Sequence, residues 1–161
     1  MLPSKQAIAE RPAVVQELGE ITAIAFQRYA IAVGDLDRIY FDDAAARDAG
    51  YPGIVAPPNF LTSILGWRAG PPEAELLADG TEATNLVPEI RGLRLMGGGH
   101  DLTFGAPVRP GDVITARRKL VDLYQRDSKM GTLTFAVSEI VYTNGRGEHV
   151  VTCRETVIAA E

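Results

Sequence analysis

The spacing of apolar residues changes character along the chain, and each change marks an element. Residues 1–12 show no period and read as a loose N-terminal arm, followed by a short strand over residues 13–18. Phe26, Tyr29, Ala30 and Val33 then fall at i, i+3, i+4 and i+7, with Gln27 and Arg28 off that stripe. This spacing predicts an amphipathic helix capped by Thr22 and stopped by Gly34. A second short helix is predicted over residues 44–49, with Asp42 or Asp43 to cap it and Gly50 to close it. Residues 59–68 differ in kind. Phe60, Leu61, Ile64, Leu65 and Trp67 alternate with the small Thr62, Ser63 and Gly66, so this helix has no face suited to water and belongs at the centre of the domain. Residues 69–90, with Gly70-Pro71-Pro72 and scattered Glu, Asp, Gly and Asn, read as a surface excursion or lid.

From Arg91 onward the period becomes two. Strands are expected near residues 93–96, 101–106, 113–123, 132–143 and 149–158, with a turn at Pro107-Val108-Arg109-Pro110-Gly111-Asp112 and a hairpin at Asn144-Gly145. Alternation is cleanest at Leu133, Phe135 and Val137 and breaks around Glu139, which marks a bulge or a change of face. Short helices, one buried helix and then long antiparallel strands define an α+β domain, a curved sheet wrapped around a central helix, the hot-dog fold. One such domain is expected over residues 13–161.

Composition narrows the function classes. Of 161 residues, 46% are hydrophobic and 23% charged, which is globular composition. Sixteen basic against twenty-one acidic residues leave a net charge of −5, which disfavours nucleic acid as a partner. A single cysteine, Cys153, excludes an intrachain disulfide and fits a reducing cytoplasm. With only His100 and His149 besides, no Cys/His metal cluster is available, and neither a metal nor another cofactor is expected. No apolar run is long enough to span a membrane, and Met1-Leu2-Pro3-Ser4-Lys5-Gln6 lacks the apolar core of a signal peptide. A soluble cytoplasmic protein is the expectation.

Four stretches carry a resemblance: Gly34-Asp35-Leu36-Asp37-Arg38-Ile39-Tyr40, Asp43-Ala44-Ala45-Ala46, Gly53-Ile54-Val55-Ala56-Pro57-Pro58-Asn59-Phe60 and Pro107-Val108-Arg109-Pro110-Gly111-Asp112. In this order and at these spacings they resemble the MaoC-like acyl dehydratases, the (R)-specific enoyl-CoA hydratase family, and most closely its N-terminal, non-catalytic half-domains. The resemblance spans roughly residues 14–158. It implies hot-dog domains that pair two by two and substrates that are acyl thioesters of coenzyme A or acyl carrier protein.

Hydration of a conjugated thioester needs a base for water, an acid for the α-carbon and donors for the oxygen where enolate charge develops. Active members resemble Gly-Asp-x-Asn-Pro-Leu-His, whose aspartate and histidine share the acid–base work. Here Asp35 matches the aspartate, but Tyr40 stands at the histidine position. Ionising an ordinary tyrosine at pH 7 costs about 4 kcal/mol, so Tyr40 is a donor and not a ready base. The resemblance also implies an oxyanion-hole N–H where this chain has Pro58, and proline has none. Losing one such donor costs about 2.7–4 kcal/mol of transition-state stabilisation.

Each candidate keeps a plain structural reading beside the chemical one. Asp35 follows a helix-ending glycine and can serve only the turn, while Tyr40 can be a packed ring. His100 occupies what resembles a glutamine position of the half-domains and is either a surface or capping residue or a relocated acid–base group. Gly98 and Gly99 let a ligand approach the backbone, and Pro57, Pro58, Asn59 and Phe60 are the other expected substrate contacts. Arg117-Arg118-Lys119 can meet a coenzyme A phosphate, but alternation points Arg118 opposite to the other two and the run reads better as solvated charge, while His149 and Cys153 read as structural.

Two functions follow. In the first, the chain is the substrate-binding half of a paired hydratase whose MaoC-like sister chain supplies the catalytic aspartate and histidine. In the second, it is a stand-alone homodimeric enzyme using Asp35, Tyr40 and His100 to dehydrate, isomerise or cyclise a thioester or related small metabolite. A thioesterase is disfavoured, because residues 59–68 contain no carboxylate.

Overall fold

The computed structural model describes residues 2–65, 72–76, 87–129 and 131–160. Five antiparallel strands form one sheet: β1 (Val14–Glu20), β2 (Arg94–Phe104), β3 (Val113–Ser128), β4 (Gly131–Asn144) and β5 (His149–Ala160), in the order β1-β3-β4-β5-β2. Four short helices accompany it: α1 (Lys5–Ala9), α2 (Ala23–Val33), α3 (Asp43–Asp48) and α4 (Phe60–Ile64). The main core joins Phe26 and Ala30 of α2 and Phe60, Leu61 and Ile64 of α4 to Ile114, Ala116, Ile140, Tyr142, Val151 and Cys153 of the sheet. That is the α+β layering the change of period predicts. Trp67 and the rest of the expected 59–68 helix beyond residue 65 lie outside the described residues, as does most of the 69–90 excursion.

The helix α2 ends as its sequence dictates, with Gly34 at φ 76° in the left-handed region where glycine carries no steric penalty. Thr22 sits at the N-cap, but its side chain makes no capping bond. Val33, the fourth residue of the predicted stripe, is exposed, and so are Ile24 and Ile31. The buried stripe is thus narrower than the apolar one. α3 is capped by Asp42, whose Oδ1 accepts from the Ala44 N–H at 2.8 Å.

Bulges explain where period-two reading faltered. The two strands expected at 93–96 and 101–106 are one strand, β2, whose register slips between Gly97 and His100. The break expected in β4 near Glu139 is not a bulge of that strand, whose buried positions run evenly through Thr134, Ala136, Ser138, Ile140, Tyr142 and Asn144; the irregularity lies across the ladder. β3 carries the extra residue, Val121, between Leu120 and Asp122, opposite Ser138 and Val137. The 144–149 hairpin is present as a four-residue connection, in which the Asn144 carboxamide accepts from the Arg146 and Glu148 N–H groups, each at 3.0 Å. Gly147, and not Gly145, takes the positive φ.

The expected loose arm is docked. Ser4 caps α1, and Ile8 is buried in a second cluster with Val87, Ile90, Leu120, Leu123, Ala136 and Ala159. Val87 and Ile90 fall in the segment read as a surface excursion, so its end is core. Arg11 closes the contact with a two-toothed pair to Glu89, one bond being 3.1 Å. That hydrogen bonding, Arg11 first, holds the Glu89 carboxyl below its ordinary value. The folded state therefore gains stability above the unfolded glutamate pKa and loses it as pH falls through the lowered one. Arg11→Ala is expected to cost about 1 kcal/mol at pH 7 and progressively less in acid, read from denaturant melts at several pH values.

Candidate functional site

A cavity of about 380 Å³ opens between residues 39–62 and one end of the sheet. Ile39, Tyr40, Tyr51 and Val55 form one wall, and Leu102, Phe104, Val150 and Val151 the other. Pro57, Pro58, Asn59 and Phe60, the expected substrate contacts, all line it. The Ala56 N–H donates to the Val108 carbonyl at 2.9 Å, which ties the Pro57-Pro58 segment to the Pro107–Asp112 turn. Asp112, buried at the far end of that turn, accepts from the Arg109 N–H and pairs with Arg146 at 2.9 Å. Asn59 enters α4 at φ 66°, a left-handed conformation that asparagine tolerates better than most residues.

The structure brings two of the three chemical candidates together. Tyr40 is buried and donates its phenol hydrogen to Asp35 Oδ2 at 3.0 Å. Burial first, and that bond second, push the Tyr40 pKa far above its ordinary value. The pair is a neutral phenol on a carboxylate, and it keeps its proton at physiological pH. Asp35 is half-buried, and it stands behind Tyr40 and not among the lining residues. The short turn Arg38–Tyr40, capped by Asp37, and the bond from Gln27 Nε2 to the Tyr40 carbonyl at 3.1 Å hold the ring in place.

His100 lies elsewhere. It is exposed on β2, just past the bulge, paired with Glu155 of β5, and it does not line the cavity. Gly98 and Gly99 sit in the bulge and are not lining residues either. Gly98 has a packing reason: a Cβ there would come within 2.9 Å of Thr156 Cγ2 and 3.0 Å of its carbonyl. Nor is Arg118 a solvated charge as its run predicts. It is half-buried, with Nη2 3.6 Å from Glu155 Oε2.

Local pattern did not single out Tyr51, Leu102 or Gly105 as part of a site. They meet only through long-range folding, and the one signal for Gly105 is a glycine ending an alternating strand. Among the described residues, no helix is long and apolar enough to cross a membrane.

Residues 14–153 match the family described as the FAS1-like dehydratase domain region. A UPF0336 protein of Thermobifida fusca is 32% identical over 134 residues, covering 83% of this chain and 78% of that one. In the solved ChsH1–ChsH2 complex of Mycobacterium tuberculosis, a chain 24% identical superposes with a TM-score of 0.76 over 97% of this chain and 89% of its own length. A MaoC-like dehydratase of Rhodospirillum rubrum does so at 0.62 and 21% identity, covering 94% of this chain and 93% of that one. These likenesses make the fold a hot dog.

Proposed function

The chain belongs to the FAS1-like dehydratase-domain family, and from that premise we propose that it is the substrate-binding half of a paired hydratase. An acyl thioester of coenzyme A or acyl carrier protein enters the cavity beside Tyr40. A MaoC-like sister chain supplies the base that activates water and the acid that protonates the α-carbon. One observation carries this reading: the described residues lining the cavity include no Asp, Glu, His, Lys or Cys. The nearest acid–base pair, Asp35 and Tyr40, is already bonded to itself, and Pro58 offers no N–H to an enolate oxygen. The wall is shaped and apolar, suited to holding an acyl group and not to moving its protons.

Pairing has its own support. Ten of the eleven residues of β2 are exposed, Leu95, Met96 and Phe104 among them. A long uncovered edge strand is a template for another chain. The structural relative from Mycobacterium tuberculosis was itself solved as a complex of two different chains.

The alternative is a homodimeric enzyme in which His100, on this exposed edge, reaches the cavity of a second copy to work with Asp35 and Tyr40. The exposure of His100 on that edge is what favours it. One assay separates the two. The pure chain is expected to leave the absorbance of a short 2-enoyl-CoA unchanged and to gain turnover only when its sister is added. Turnover by the pure chain, lost in His100→Ala and Asp35→Asn, overturns the paired reading.

A further inference from the structure

The sheet face that packs on α4 carries two buried hydrogen-bond donors that find no acceptor among the described residues. Register sets Ala116, Tyr142, Val151 and Phe104 in one cross-strand row and Arg118, Ile140, Cys153 and Leu102 in the next. Residues opposed across a ladder project to the same side of the sheet, and Phe104, Val151 and Leu102 line the cavity. Both rows therefore share the sheet face that forms the cavity's wall, with Tyr142 and Arg118 on strands beside the lining residues and not among them. Tyr142 is fully buried, and among the described residues its hydroxyl has no partner; the Arg118 Nε–H is also buried and unpartnered among them. Folded proteins satisfy nearly all such groups, and an orphan invites an explanation.

The chemistry of the two orphans defines what is missing. The guanidinium Nε–H only donates. The phenol is held protonated by burial, so it too offers a hydrogen. Arg118 already faces Glu155, whose carboxylate balances its charge. The gap is therefore for an uncharged acceptor. A carboxylate would bring a second negative charge beside Glu155, and a hydrocarbon would leave both donors bare. A carbonyl oxygen has two lone pairs and can take both.

We propose that Arg118 and Tyr142 bind a neutral carbonyl oxygen carried on the acyl group beyond its thioester, so that the chain selects oxygenated over plain hydrocarbon acyl groups. This rests on the reading that an acyl thioester occupies the cavity. Arg118 and Tyr142 are then specificity residues, remote from the reacting bond.

The test is calorimetric titration of the full chain, any co-purifying chain left in place, with decanoyl-CoA and with oxodecanoyl-CoA isomers bearing the carbonyl at each position from the fifth carbon outward. At least one isomer is expected to bind about tenfold tighter than decanoyl-CoA, the scale of one hydrogen bond to a charged donor. Tyr142→Phe removes one oxygen and keeps the ring; Arg118→Lys keeps the charge and loses the Nε–H. Each is expected to erase most of the preference and to leave decanoyl-CoA binding within about twofold, the pattern expected when only a specific hydrogen bond is lost. A merely structural role would weaken both ligands alike, and that result overturns the proposal. So does a preference that survives Tyr142→Phe, a substitution that decides the matter alone if Arg118→Lys does not fold. Equal affinity across the series overturns it while the acyl-binding reading stands. Failure of the folded protein to bind any of these thioesters takes down both.

Discussion

Replacing Phe60 by alanine is expected to lower the unfolding free energy by about 3–5 kcal/mol, the range for deleting a buried aromatic ring. Phe60 is 1% exposed and sits where three elements meet. Its ring packs edge-on against Phe26 of α2, centroids 6.1 Å apart, and against Tyr29 at 5.8 Å. It also lines the cavity. Alanine would therefore strip the contact between α4 and α2 and widen the binding space together. Phe60→Leu, which refills much of the volume, is expected to recover more than half of the loss. Urea melts of the two variants measure this. A Phe60→Ala variant as stable as the parent would mean that the α2–α4 contact is not the keystone described here.

Gly105→Ala is the second large effect, about 3 kcal/mol or a fall in Tm of roughly 6–12 °C. The reason is contact and not backbone freedom. A Cβ at Gly105 would stand 2.4 Å from the His149 carbonyl oxygen and 2.5 Å from its Nδ1. The Gly105 N–H donates to the Val150 carbonyl at 2.7 Å, so the backbone cannot retreat without breaking that bond. His149 is tethered as well, with Nε2 2.8 Å from Thr152 Oγ1. Because Gly105 lines the cavity, the thioester binding proposed above should weaken with stability. Gly145→Ala is the control: its Cβ would meet nothing closer than 3.8 Å, and the melt should barely move. A parental Tm for Gly105→Ala would show that the strand end gives way freely.

How much of this was legible in the sequence depends on the range of the interaction. Gly34 and Asp42 act within a few residues, and the chain announces them; β4 is announced as a strand, but its buried positions are Thr134, Ala136, Ser138, Ile140 and Tyr142 and not the Leu133 and Phe135 of the apolar alternation. The sheet order, with β1 beside β3 and β2 beside β5, leaves no local trace. Glycines misled in an instructive way. Gly97-Gly98-Gly99 read as a gap between strands and as a place for ligand, whereas Gly98 is small because Thr156 lies against it. Gly105, which carries the tighter approach, had no signal beyond its place at the end of an alternating strand. Arg118 shows the same limit. Strand alternation sets it opposite to its neighbours Arg117 and Lys119, but only pairing with β4 and β5 reveals that it meets Glu155. For the candidate site, the Pro57–Phe60 stretch was visible through its resemblance to the MaoC-like dehydratases. The Asp35–Tyr40 bond was half visible, as two residues five apart that needed a turn to meet.

The uncovered β2 strand bears on how such a protein is made. A ribosome that releases this chain without a companion releases an open ladder of unpaired amides and carbonyls, flanked by Leu95, Met96 and Phe104. Surplus copies would zip onto one another or onto unrelated strands and precipitate. Under the paired reading proposed above, matched dosage, with both polypeptides translated side by side, is the simplest way for a cell to keep that ladder occupied from birth.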